Sequence, residues 1–164
     1  MSVLIRILKG LLGTIAVLAL VVAALFVGAR FHDGPLAIIP GGALESGPRV
    51  EAPVADWGFV ADIEEIELQL LAQKTSRTTW IVAHAGRAFV PVSLAFPPGK
   101  SWHRVADEQG AAVLRIEGER YPVQLTRLGE DAEFEAIVAA LAEKYTPPPG
   151  SDESGFWLFE VTSR

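Results

Sequence analysis

The chain has 164 residues, half of them hydrophobic, with 14 Lys and Arg against 20 Asp and Glu for a formal charge of -6 at pH 7. It contains no cysteine, which excludes disulfides, thiolate metal sites, iron–sulfur clusters and cysteine nucleophiles in one step, while leaving the redox compartment open. Only Arg6 and Lys9 precede the first long apolar run, so the remainder carries a clear acidic excess, a balance that disfavours nucleic acid as a partner.

Leu11 to Ala29 contain no charge, two glycines and one threonine among aliphatics and Phe26. As a helix this run is about 28 Å long, close to the ~30 Å hydrocarbon core of a bilayer. The expectation is a retained single-pass anchor over residues 1–30. A cleaved signal peptide is the alternative, because Arg6 and Lys9 resemble a charged leader and Val27-Gly28-Ala29 a small-residue cleavage site. Arg6, Lys9 and the terminal amine lie before the span, whereas Arg30 is soon offset by Asp33, so the N-terminus is expected in the cytoplasm. The anchor would then sit in the inner (cytoplasmic) membrane with the C-terminal domain outside or in the periplasm.

Residues 31–57 hold Gly34, Pro35, Pro40, Gly41, Gly42, Gly47, Pro48 and Pro53, too many turn formers for a regular element. They read as a tether that either stands the domain off or wraps along its surface. About 135 residues lie beyond the span, enough for one domain with a genuine core and too few for two, and that domain is expected over residues 58–164.

In that domain Glu65, Glu67 and Gln69 alternate with Ile66, Leu68 and Leu70, which predicts a half-buried strand. Lys74 to Arg77 break the pattern. Thr79 to His84 form a second expected strand, with Trp80 and Val82 on one face and Ile81 and Ala83 on the other, both covered. Gly86 marks a tight hairpin to a strand over Ala88 to Leu94, and Pro97-Pro98-Gly99 ends the unit. Ser101 is the expected N-cap of a short helix from Trp102 to Gln109, stopped by Gly110.

A strand over Ala112 to Ile116 then turns at Glu117-Gly118-Glu119 into one where Tyr121, Val123 and Leu125 alternate, with Pro122 implying an edge or a bulge. Phe134, Ile137, Val138 and Leu141 repeat at helical spacing between Glu130 and Tyr145, acids in the first turn and Lys144 in the last. Pro147-Pro148-Pro149-Gly150 stops this helix, and Phe156 to Val161 closes the domain as a strand. The fold expected is α+β, mainly antiparallel β: about six strands with one short and one long helix, curled into a small barrel, with a sandwich as the alternative.

The run Thr78 to Val92 around His84-Ala85-Gly86-Arg87, then Lys100-Ser101-Trp102-His103-Arg104, then Ala112 to Tyr121 around Gly118, resembles the flavin-binding split β-barrel family. Its members include pyridoxamine phosphate oxidase-like and deazaflavin-dependent nitroreductase-like proteins. The likeness covers roughly Ile63 to Val161 and rests on the order of hairpin, Trp-bearing helix, hairpin, long helix and aromatic strand. It implies a homodimer and an oxidoreductase that uses flavin mononucleotide (FMN) or a deazaflavin for hydride transfer. It also implies a cofactor site of Arg77, Thr78, Thr79, Trp80, Lys100, Trp102 and Arg104, in which cations and hydroxyls hold phosphate and an indole walls the ring.

The same residues have plainer readings: a solvated strand start, core aromatics and a loop lysine. The basic and hydroxyl content near the first hairpin is thin. This supports a second reading, a non-catalytic split-barrel module at the envelope that binds a ligand, haem included, or a protein partner. His84 and His103 stand apart from each other and from paired carboxylates, so no metal site is expected, and His32 carries no signal. G-x-S-x-G, P-loop, G-x-G-x-x-G and H-E-x-x-H patterns are all absent. The acidic clusters at Glu64-Glu65-Glu67 and Glu130-Asp131-Glu133-Glu135 read as solvated faces.

Overall fold

The computed structural model describes residues 2–94, 97–130, 132–146 and 155–164. Helix α1 (Ser2–Ala29) is followed by an irregular segment and a 3-10 turn (Gly58–Val60). Then come β1 (Glu65–Leu70), β2 (Ser76–Trp80), β3 (Val82–His84), β4 (Arg87–Ser93), α2 (Trp102–Glu108), β5 (Ala111–Ile116), β6 (Glu119–Arg127), α3 (Ala132–Lys144) and β7 (Phe156–Ser163). The expected stop at Pro147–Gly150 and the acid Asp131 lie outside the described residues.

All pairings are antiparallel, in the order β2-β1-β5-β6-β7-β4-β3. The sheet is a curled half-barrel, with β2 and β3 at opposite ends of that order and only Ile81 between them in the chain. The strand expected over Thr79 to His84 is therefore two, each pairing with a different neighbour, and the sheet has seven strands where six were expected. The facing was as expected: Ile81 and Ala83 join the concave core, Val82 and Trp80 the opposite side.

Period-two alternation fills the concave face with Ile66, Leu68, Leu70, Val90, Leu114, Ile116, Val123, Leu125 and Phe159, each at most 2% exposed. Trp102 and Ala106 of α2 cover one end of this core. Trp57 and Val60 cover the other, where Trp57 also lies 5.8 Å from the rings of Phe59 and Tyr121. Outside the sheet, α3 buries Ile137, Leu141 and the adjoining Tyr145 on Val82, Phe89 and Leu158.

Both tight hairpins place a non-glycine and then a glycine at positive φ: Ala85 (49°) and Gly86 (77°), Glu117 (49°) and Gly118 (85°). Ser101 precedes α2 as expected, but its side chain makes no capping bond. Pro122 departs from expectation, since β6 lies between β5 and β7. Beyond Val123, paired with the last residue of β7, the same side of β6 faces the chain ends: Arg120 N–H donates to Pro48 O (2.8 Å) and Arg164 N–H to Pro122 O (3.0 Å). The missing proline N–H thus falls where no ladder partner requires it.

Residues 31–57 wrap rather than stand off. Gly41 forms an antiparallel bridge with Ser76 on the outer edge of β2, Leu44 N–H donates to Gln69 Oε1 (2.8 Å), Val54 N–H to Ser163 Oγ (2.8 Å) and Trp57 N–H to Gly86 O (2.8 Å). A Cβ on Gly41 would lie 1.7 Å from Gly34 O, so only glycine allows this approach. Helix α1 is long and apolar enough to cross a membrane, and its flanks are exposed.

Candidate functional site

The seven residues implied by the resemblance start from β2. Register pairs Arg77 with Leu68 and Thr79 with Ile66, which sends both toward the concave side, while Thr78 and Trp80 face outward. Arg77 runs under the α2 cap, its guanidinium carbon 5.0 Å from the centroid of buried Trp102. Its Nη2 donates to Gln73 Oε1 (2.8 Å), and its Nε is buried without a partner. Burial pushes the guanidinium down to about 10, and among the described residues no carboxylate pairs with it.

The others diverge. Thr78 Oγ1 donates to Ala37 O (2.8 Å), beneath the wrapped segment. Trp80 stacks on Tyr145, centroids 4.5 Å apart and planes 9° off parallel. Lys100 is half-buried at the start of the cap and Arg104 is exposed on α2. The fold thus brings Arg77 and Trp102 together and puts Thr78 and Trp80 on a different surface.

Three residues that sequence reasoning did not assign to this end of the core belong to it. His103 is 5% exposed, meets Trp157 edge-on at 5.1 Å and leaves Nδ1 without a partner; burial, then Lys100 and Arg104, lower its pKa. Arg127 lies 3.7 Å over the Trp157 ring and faces Asp107 at 3.7 Å. Alternation in β6 and β7 marks Arg127 and Trp157 as facing residues, but only the pairing of those strands puts them beside α2. Among the described residues no cluster of three His, Asp or Glu could hold a metal ion.

A second feature lies outside β5 and β6. Arg49, Arg120 and Arg164 rim a cleft of about 360 Å³ whose floor includes the side chains of Leu71, Val113 and Pro122. Arg49 pairs with the exposed Glu51 (3.3 Å), whereas Arg120 donates to the carbonyls of Gly47 (2.9 Å) and Leu44 (3.2 Å). Cations around an apolar floor suit a ligand with an anionic head and an apolar body.

Next to the cleft, Arg115 clasps the wrapped segment. It donates to Asp33 Oδ1 (2.9 Å), Asp33 O (3.1 Å) and Ser46 Oγ (3.0 Å), and pairs with Glu67. Burial alone would raise the Asp33 carboxyl, but the Ser46 hydroxyl, the Glu45 and Ser46 amides and Arg115 outweigh it and hold the group far below the usual carboxylate range.

No family model, curated protein or solved structure matches this chain.

Proposed function

We propose that this chain is a membrane-anchored split-barrel module that binds a ligand at the cell envelope and is not itself a catalyst. The observation that carries the reading is the dispersal of the expected cofactor residues. A flavin phosphate needs several donors converging on one point, yet Thr78 is engaged by Ala37 and Trp80 is stacked on Tyr145, both on the side of the sheet away from Arg77, whose guanidinium lies against Trp102 in an end of the core that is already filled. Within one chain Thr78 and Trp80 therefore stand apart from any phosphate that Arg77 could hold. With the concave face packed by side chains, the outer cleft of Arg49, Arg120 and Arg164 is the surface this reading uses, for a carboxylate- or phosphate-bearing ligand with an apolar body.

One observation favours a second reading, the flavin- or deazaflavin-dependent oxidoreductase. Arg77 is a largely buried cation beside a flat indole, with no carboxylate partner among the described residues. Bound there, a flavin would supply hydride transfer, and Arg77 would hold its phosphate.

Titration of the purified, detergent-solubilised full chain separates the two. The binding module takes up a fluorescent long-chain fatty acid saturably, and the Arg49→Ala, Arg164→Ala double variant weakens that uptake, while FMN and deazaflavin do not bind at high micromolar concentration. Saturable FMN uptake weakened roughly tenfold or more by Arg77→Ala, in line with about 1.5–3 kcal/mol for a hydrogen bond to a charged group, establishes the oxidoreductase instead. Uptake of neither probe refutes both.

A further inference from the structure

The end of α1 and the turn after it form one body. Arg30, Phe31 and His32 N–H donate to Val27, Gly28 and Ala29 carbonyls (3.2, 3.0 and 3.1 Å), and Gly42 N–H returns to His32 O (2.9 Å). Between them the chain makes a two-residue turn in which Leu36 and Ile39 exchange both backbone bonds (3.0 and 2.9 Å). Ala37 there is held at φ 52°, a conformation that an alanine rarely adopts, and Thr78 Oγ1 fixes its carbonyl. A rigid, pinned turn thus presents Ile38 at 94% exposure, flanked by Leu36 at 39%, with Phe31 at 88% beside it.

Ile38 on the braced turn and Phe31 just past the end of α1 extend an apolar surface that also includes Leu36, Phe26, Val27 and Pro40, and contiguous exposed apolar surface marks an interaction site. Its depth identifies the partner. Phe26, Val27, Arg30, Phe31 and Pro40 line one cleft of about 570 Å³, which puts the turn alongside the last turn of α1. With Leu11 to Ala29 filling the ~30 Å hydrocarbon core, that level is the boundary between acyl chains and headgroups, and Arg30 is at the height of the phosphates.

We propose that Phe31 and the turn Leu36–Pro40 insert into this boundary. The half-barrel then lies against the bilayer by the side where β2, β1 and β5 carry the wrapped segment. This rests on the reading of α1 as a membrane span. The occupant is lipid: the apolar tips contact the upper acyl chains, the cleft admits one, and Arg30 meets a phosphate.

The cysteine-free chain allows a direct test. Single variants Val17→Cys, Phe31→Cys, Ile38→Cys and Ala139→Cys of the full chain carry an environment-sensitive fluorophore. Each is reconstituted into vesicles of phosphatidylcholine and phosphatidylglycerol in equal parts, with or without brominated acyl chains. Ala139 is exposed on α3, which packs chiefly on β3, β4 and β7, and it lies more than a helical turn before Tyr145, the residue that meets Trp80 of β2. The expected result is strong bromine quenching at Val17, quenching with a blue-shifted emission at Phe31 and Ile38, and neither at Ala139. Quenching at Val17 with none at Phe31 and Ile38 overturns the insertion and leaves the span intact. Equal quenching at Ile38 and Ala139 also overturns it. A blue shift at Ile38 that bromine does not quench and that follows protein density assigns the turn to a second copy, against the proposal. No quenching at Val17 removes the span itself, and the insertion with it.

Discussion

Replacing Tyr145 by Phe removes one oxygen at the point where the chain leaves one end of the sheet for the other. Ile81, fully buried between β2 and β3, donates its N–H to Tyr145 Oη (3.2 Å), whose own proton goes to Glu64 O (2.6 Å) or Ile81 O (2.7 Å). The phenyl ring keeps its stack on Trp80, so packing is conserved and the loss is polar. Two hydrogen bonds at about 1 kcal/mol each, plus part of the penalty for a stranded buried N–H, give a destabilisation of roughly 2–3 kcal/mol. At ~2.1 cal/mol/K per residue over about 135 residues, that lowers Tm by roughly 9 °C. Thermal unfolding of the detergent-solubilised protein at pH 7, followed by near-UV circular dichroism, reads the shift. A Tyr145→Phe variant melting within about 2 °C of the parent, far short of that shift, refutes the argument that Tyr145 closes the junction. Alkali offers an independent check. Burial pushes the Tyr145 phenol up to about 12 from its usual 10, so its contribution is complete below pH 10 and is lost as pH rises through 12. The phenyl ring of the variant has nothing to ionise, and an unchanged alkaline midpoint after the substitution counts against the same geometry.

Arg115→Met strands the Asp33 and Glu67 carboxylates, both part-buried, and is expected to cost about 2–3 kcal/mol, with faster proteolysis between residues 33 and 50; unchanged cleavage there rules out the clasp. Asp33, held far below its ordinary value, adds stability that is complete above about pH 4 and fades as pH falls toward the depressed folded value. Asp33→Asn should therefore flatten the acid limb of the stability profile while leaving the neutral plateau lower. Gly41→Ala drives a methyl into the Gly34 carbonyl and is expected to release the bridge to Ser76; hydrogen exchange at the Gly41 and Ser76 amides should accelerate by an order of magnitude or more, and native protection in the variant would disprove the close approach.

Local chemistry made much of this fold readable. The Ala85-Gly86 and Glu117-Gly118 turns, the alternation through Ile66, Leu68 and Leu70, and the helical spacing of Phe134, Ile137 and Leu141 each follow from neighbours within a few residues. What was not legible is set across long separations. The break at Ile81 exists because Thr79 pairs with Ile66 whereas Val82 pairs with Phe89, and no residue in Thr79 to His84 announces a change of partner. Pro122 is tolerated inside β6 only because β7 runs out beside it. The wrapping of residues 31–57 depends on Arg115 reaching Asp33 from 82 residues away. At the site, the inward direction of Arg77 followed from β2 beginning at Ser76, two residues inside a stretch whose composition reads as a break. The same shift by one position is what separates Thr78 and Trp80 from Arg77.

The bridge of Gly41 to Ser76 has a bearing on how this protein meets copies of itself. High local density brings the risk that the open rim of one sheet recruits the rim of another. Here the outer amide and carbonyl of Ser76 are already taken by the same chain, and the residue after Trp80 carries the backbone directly to the opposite rim, its polar groups capped by Tyr145 and Lys144. Loosening the Gly41 strap would therefore do more than soften the domain: it would uncover a template for runaway stacking between neighbours.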